Sequence, residues 1–336
     1  MMRERRRIVE MWRRGGAVAL VTLVRVEGSS YRREGARLLV GGDGEYAGSI
    51  SGGCLEAEVV RKAGWMVRDG AVVERYSTLF DDTAEIPYGL GCGGTVELLV
   101  EPAGTEEFEG LMRAMAASLV GAETRVVTWL PEDGMALRRV VGEVPSDGGI
   151  EERLEAPQRL VVFGAGDDAQ PMVQMASLLG WDVVVVDGRA SWARAERFPE
   201  ALRVVVGEGF EVRAKDAVVV MTHSYEQDRQ WLAGALRAEP RYLGLLGARH
   251  RSALLVSETA ALLGWSVERA CEGLFAPVGL DLGGDGAEAI ALAVIAEIQG
   301  CVEGKIGVSR RMTAAMVAEQ RERGGAARYL QGQCAL

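Results

Sequence analysis

Histidine is nearly missing from this chain: His223 and His250 are the two in 336 residues, too few for His-rich metal chemistry. Cysteine is scarce as well. Cys54, Cys92, Cys271, Cys301 and Cys334 are scattered and odd in number, which excludes a disulfide framework. No apolar run approaches the ~18 residues of a membrane span; Val183 to Val186 and Ile290 to Ala296 are among the longest. An excess of positive charge is absent too. The formal net charge of −10 argues against binding to nucleic acid or an anionic membrane surface. The arginine-rich stretch from Met1 to Gly16 lacks the apolar centre of a secretory signal, and Glu4 and Glu10 distinguish it from a transit peptide. It reads as an amphipathic surface helix of a soluble, cytoplasmic protein.

What is present is globular. Hydrophobic residues make up 48% and charged residues 26%, and 336 residues suggest two domains with a core each. The charge is uneven: −1 over residues 1–102, −6 over 103–156 and −3 over 157–336. The middle segment also holds Pro131, Pro145 and the turn run Pro145-Ser146-Asp147-Gly148-Gly149, punctuation that suits a neck. The expected organisation is a domain over 1–102, an acidic neck with some secondary structure over 103–156, a second domain over 157–302, and a helical tail over 303–336. The expected fold class is α/β. Short strands and glycine turns mark a mixed α/β first domain, with strands over Ala17 to Val26, Arg37 to Val40 and Thr95 to Glu101. From Arg159 onward, fully apolar strands alternate with helices, the pattern of a doubly wound parallel sheet covered on both faces.

Two motifs carry chemistry. The run Gly164-Ala165-Gly166-Asp167-Asp168-Ala169 follows a strand and opens a helix, and Asp187 ends the next strand about twenty residues later. This is the dinucleotide fingerprint: Gly164 and Gly166 for close approach of a pyrophosphate, Asp187 for a ribose, NAD(P) or another nucleotide as ligand. Asp167 and Asp168 place negative charge where phosphate would sit, and Arg189 is the cation placed to receive it. His223 follows a later strand and reaches toward the same crevice. The second motif is a pair of thiols in glycine-rich turns, Gly52-Gly53-Cys54 and Cys92-Gly93-Gly94. Such turns form nests of outward N–H groups, and a helix N-terminus after Cys54 favours thiolate, which suits soft metals and sulfur transfer. Small buried cysteines in tight turns are the other reading.

Taken together, the motifs resemble the XdhC/CoxI family, accessory proteins that mature molybdenum hydroxylases. The first domain carries Glu27-Gly28-Ser29-Ser30, Gly35-Ala36-Arg37, Gly48 to Glu56 and Gly91-Cys92-Gly93-Gly94. The second carries Phe163-Gly164-Ala165-Gly166, Val186-Asp187-Gly188-Arg189, Met221-Thr222-His223 with Asp228, Tyr242 to Gly247, and Pro277 to Gly283. The chain departs from the family pattern at Gly283 to Glu288, which lacks Thr-Pro-Glu, and at Arg328 to Leu336, which lacks Gly-Pro-Ile-His. The resemblance implies a non-catalytic chaperone for the molybdenum cofactor, as molybdopterin or its dinucleotide form. It implies a molybdenum hydroxylase apo-enzyme and a cysteine desulfurase as partners. Cys54 and Cys92 would contact the metal or receive sulfur, the glycine nests would hold pterin or phosphate, and the Rossmann crevice a nucleotide part. A homodimer is expected, since two small domains leave large faces to cover. The competing expectations are an NAD(P)-dependent oxidoreductase and a nucleotide-binding scaffold without catalysis.

Overall fold

The computed structural model describes residues 2–53, 55–77, 94–132, 135–145, 147–207 and 209–307. Two units emerge, the first running to Ala156 and the second beginning at Pro157.

The first unit opens with helix α1 (Met2–Arg14) and strand β1 (Ala17–Glu27). Strands β2 (Arg37–Gly41) and β3 (Tyr46–Gly48), helix α2 (Glu56–Met66), and strands β4 (Val72–Ser77) and β5 (Thr95–Pro102) follow. The five strands form one antiparallel sheet in the order β3-β2-β1-β5-β4. Alternation divides its side chains. Ala19, Val21, Leu23, Leu38, Val40, Leu98 and Val100 pack with Val59 and Ala63 of α2. Leu20 and Leu39 point the other way.

On that second face the acidic segment is part of the core. Helix α3 (Glu106–Ser118) and strands β6 (Thr124–Trp129), β7 (Arg138–Val141) and β8 (Ile150–Leu154) make a helix and a small sheet. Phe108, Leu111, Met112, Val126 and Leu154 close over Leu20, Leu39 and the α1 residues Ile8, Val9 and Met11. The neck expected over 103–156 is therefore integrated into the first unit. Helix α1 is amphipathic as expected: Ile8, Val9 and Met11 face this core while Arg3, Arg7, Glu10, Arg13 and Arg14 are exposed. Its Arg5 is itself buried, donating to Ser118 Oγ at 3.0 Å and to the Glu155 carbonyl at 2.7 Å. Two ion pairs tie charged side chains of this segment to the larger sheet. Arg139 grips Glu101 bidentately at 2.7 and 2.8 Å, and Arg37 grips Glu152.

The second unit holds β9 (Arg159–Phe163), α4 (Ala169–Leu178), β10 (Asp182–Asp187), β11 (Arg203–Val206), β12 (Ala217–Val220) and α5 (Tyr225–Ala238). After these come β13 (Tyr242–Leu245), α6 (Arg249–Leu263), α7 (Val267–Cys271), β14 (Leu274–Phe275) and α8 (Ala287–Val302). All six strands are parallel, in the order β11-β10-β9-β12-β13-β14. That is the doubly wound Rossmann order, with its switch point between β9 and β12. Leu160, Val162, Val183, Val185 and Val219 pack under α4 and α8. Their alternates Val161, Phe163, Val184, Val186 and Val218 pack under α5 and α6, which is why these strands read as apolar throughout. Among the described residues, no helix is long and apolar enough to cross a membrane.

Candidate functional site

In the first unit, the family-like segments meet at one end of the antiparallel sheet. Glu27 pairs with Thr95, and Thr95 with Ser77, so the loop after β1 and the residues entering β5 are neighbours. Gly94 is pressed onto that loop: a Cβ there would lie 2.2 Å from the Ser29 carbonyl oxygen. Gly48, at φ +99°, brings β3 onto Arg37, whose carbonyl oxygen would stand 2.1 Å from an added Cβ. The chain then turns through Ser49 to Leu55 into α2. Gly52 faces the Tyr31 ring, with a Cβ position 3.6 Å from Cδ1.

One buried carboxylate organises this turn. Glu56 accepts from the amides of Ile50 at 3.0 Å and Ser51 at 2.8 Å, and from the hydroxyls of Ser49, at 2.8 Å, and Ser51. Ser51 Oγ in turn accepts from the amides of Gly53 at 3.2 Å and Leu55 at 3.1 Å. Burial pushes the Glu56 carboxyl up, but the hydrogen bonds from Ser51 and Ser49 outweigh it and hold the group below its ordinary value. The expected anion nest is thus corrected in its described part. The amides of Ile50, Ser51, Gly53 and Leu55 point at the protein's own oxygens and are not offered to a phosphate. Gly52 and Gly53 shape the turn. Cys54, Cys92 and Gly93 lie outside the described residues.

In the second unit, the predicted residues assemble at the carboxyl ends of the strands but bond to one another. Asp187 is fully buried. Its Oδ2 accepts from the Ala165 amide at 2.8 Å and Arg189 Nη2 at 2.7 Å, and its Oδ1 from Arg189 N and Nε, both at 2.9 Å. Burial raises the Asp187 carboxyl, and the Arg189 side chain and amide with the Ala165 amide more than compensate, leaving it lowered. Arg189 also donates to the Thr222 carbonyl at 3.3 Å. The ribose acceptor is occupied by the residue expected to receive a phosphate. Gly164, at φ +126°, is required by the neighbouring strand, since a Cβ would lie 2.4 Å from the Met221 carbonyl oxygen.

The two acids of the fingerprint are likewise engaged. Asp167, largely exposed, pairs with Arg197 at 2.6 Å, and Arg197 donates to the Ala165 carbonyl at 2.6 Å. Asp168 pairs with His223 Nε2 at 2.7 Å, across Gly166. His223 takes φ +62°, an uncommon conformation for a side-chain-bearing residue. Arg189 and Arg197 both approach the Trp192 ring, each guanidinium 4.9 Å from its centre. In this arrangement the expected ribose acceptor and the Ala165 peptide are both hydrogen-bonded within the protein.

Some organising residues carry little sequence signal. Glu56 begins α2, a position where glutamate is common for dipole reasons alone. Arg197 stands thirty residues from Asp167. Asp228, buried in the first turn of α5, accepts from Thr222 N at 2.9 Å, Thr222 Oγ1 at 2.7 Å and Arg251 at 2.7 Å. The trio Thr222, His223 and Asp228 is visible as a motif, but Arg251 is not. Among the described residues, no cluster of three or more His, Cys, Asp or Glu side chains is suited to a metal ion.

A Rossmann domain preceded by an antiparallel-sheet unit with interlocked glycine turns defines a class, and known proteins share it. Residues 160–298 match the XdhC Rossmann domain and residues 11–77 match the XdhC and CoxI family. The chain belongs to that family. It is 27% identical over 310 residues to a probable xanthine dehydrogenase subunit of Bacillus subtilis (strain 168), covering 83% of this chain and 91% of that protein. It is 29% identical over 301 residues to the molybdenum cofactor insertion chaperone PaoD of Escherichia coli (strain K12), covering 86% and 85%. A crystal structure described as a xanthine dehydrogenase from Bacillus halodurans superposes with a TM-score of 0.76 at 26% identity, over 94% of this chain and 99% of that one.

Proposed function

We propose that this chain is a molybdenum-cofactor chaperone, holding the cofactor as cargo and passing it to the apo form of a xanthine dehydrogenase-type molybdenum hydroxylase. The observation that carries the reading is the meeting of Glu27 to Tyr31, Gly35 to Arg37, Gly48 to Gly53 and Gly94 at one sheet end. It is supported by a relative named as a cofactor insertion chaperone. Cys54 directly follows Gly53, and Cys92 stands two residues before Gly94. In this reading both thiols contact molybdenum or receive sulfur while a cysteine desulfurase installs the terminal sulfido ligand. The Glu56 network holds the backbone on both sides of Cys54 in one geometry, which suits a site that must bind and then release. A nucleotide part of the cofactor enters the Rossmann crevice only if Arg189 leaves Asp187. A homodimer completes the proposal.

The test is retention and delivery. Purified full-length chain is mixed with molybdenum cofactor, freed of excess, and assayed for molybdenum per chain and for activation of an apo-hydroxylase. About one cofactor per chain is expected, with loss of retention or activation in Cys54→Ala and Cys92→Ala. A wild-type chain that retains none, or two variants that retain and deliver as the wild type does, overturns the reading.

A further inference from the structure

Tyr31 is 73% exposed, yet its ring is not loose. The Cβ position of Gly52 stands 3.6 Å from ring carbon Cδ1, 3.7 Å from Cγ and 3.9 Å from Cε1. A point beyond the ring edge would be clearly farther from the two flanking carbons than from the nearest one. Near-equal distances put Gly52 over the ring face. One face of Tyr31 is therefore turned toward Gly52, in a turn held by Glu56, and the exposure belongs to the rest of the ring, the opposite face included.

The loop that carries Tyr31 is fixed on both sides. Arg32 pairs with Glu4 of α1, the Glu34 carboxylate accepts from the Val26 amide at 3.2 Å, and the Gly35 amide donates to the Leu23 carbonyl at 2.8 Å. Two residues before Tyr31, the Ser29 backbone is clamped by Gly94. A large aromatic ring held out to solvent by a pinned loop, and backed by a glycine instead of a core, is poor packing but good preorganisation. Its chemistry suits a flat, conjugated heterocycle, which gains stacking energy on an aromatic face whose position is already set.

We propose that the outward face of Tyr31 is the stacking platform for the planar heterocycle of this chain's cargo. Under the chaperone reading, on which this rests, that heterocycle is the pterin. The hydroxyl is not needed, and the aromatic face is. Tyr31→Phe and Tyr31→Trp keep the platform, while Tyr31→Ala removes it with little effect on folding, because the side chain is mostly exposed.

The test titrates full-length wild type and the three variants with molybdenum cofactor, followed by retained molybdenum, and separately with free pterin, followed by pterin fluorescence. Thermal melting verifies that each variant is folded. Tyr31→Ala is expected to weaken both ligands by roughly tenfold or more, as loss of a stacking partner does, with Phe and Trp staying within about twofold. Cofactor retention by wild type and by Tyr31→Ala with equal affinity overturns the platform while sparing the chaperone reading, and so does a Phe variant as weak as Ala. Pterin binding that depends on Tyr31, in a chain that retains no molybdenum cofactor, overturns the chaperone reading and upholds the platform. Wild type that binds neither ligand overturns both.

Discussion

Arg189 holds Asp187 in a two-point grip, Nε to Oδ1 at 2.9 Å and Nη2 to Oδ2 at 2.7 Å, and so fills the place a Rossmann fold offers to a ribose. With Ala165 also donating, little acceptor capacity remains on Asp187. Arg189→Ala leaves a buried carboxylate with the backbone amides alone, at an expected cost of about 1–3 kcal/mol, since the arginine itself is partly exposed. Urea unfolding measures the loss. The same variant frees Asp187, so equilibrium dialysis is expected to find tighter nucleotide binding by Arg189→Ala than by wild type; the reverse order would show Arg189 acting as a nucleotide contact.

The Glu56 network makes a pH-dependent prediction. Its folded carboxyl lies below the ordinary 4.5, so its contribution is complete above that value and is lost as pH falls through the lower folded value. Glu56→Gln is expected to destabilise the chain by about 1–3 kcal/mol at pH 7. The difference from wild type should shrink as acid protonates Glu56. Melting temperatures of both proteins from pH 7 to pH 3 test this, and a gap constant across the range would refute it.

Arg139 and Glu101 join β7 to β5, and their side chains are 2% and 0% exposed. Either partner left alone is an uncompensated buried charge. Arg139→Met and Glu101→Leu are each expected to cost about 3–5 kcal/mol, and the double variant less than their sum. A double-mutant cycle by denaturant unfolding reads the coupling directly.

Two glycines of the second unit should respond oppositely to alanine. Gly164 sits at φ +126° with the Met221 carbonyl in the way, so Gly164→Ala should destabilise by about 2 kcal/mol or more. Gly234 is exposed in α5 with nothing within 4 Å of a new methyl, so Gly234→Ala should stabilise by about 0.5–1 kcal/mol. Calorimetric melting of the two variants separates a glycine the fold requires from one it tolerates.

Much of the fold is legible in the sequence. The strands over Leu160 to Phe163 and Val183 to Val186 show there because both faces of their sheet are covered, leaving no polar alternation to interpret. Segment 103–156 reads wrongly as a neck for the opposite reason. Arg139 and Glu152 look solvent-facing in a pattern, and only partners 38 and 115 positions away draw the first into the interior and leave the second half-buried. The short strands β7 (Arg-Arg-Val-Val) and β8 (Ile-Glu-Glu-Arg-Leu) mix charged and aliphatic residues without a periodic signal strong enough to announce them.

The candidate site divides in the same way. Spacing alone places Gly164, Asp187 and His223 in one crevice, and order along the chain suffices to associate the glycine turns around Gly52 and Gly94. Periodicity, turn residues and motif order are properties of residues close in the chain, so the elements, the Rossmann topology and the family can be read from the residues in order. Which donor meets which acceptor is a property of residues brought together by packing. That is why the folded chain alone reveals that scarce histidine still supplies a partner for Asp168, that Arg189 serves Asp187, and that the turn beside Cys54 spends its amides on Glu56 and Ser51.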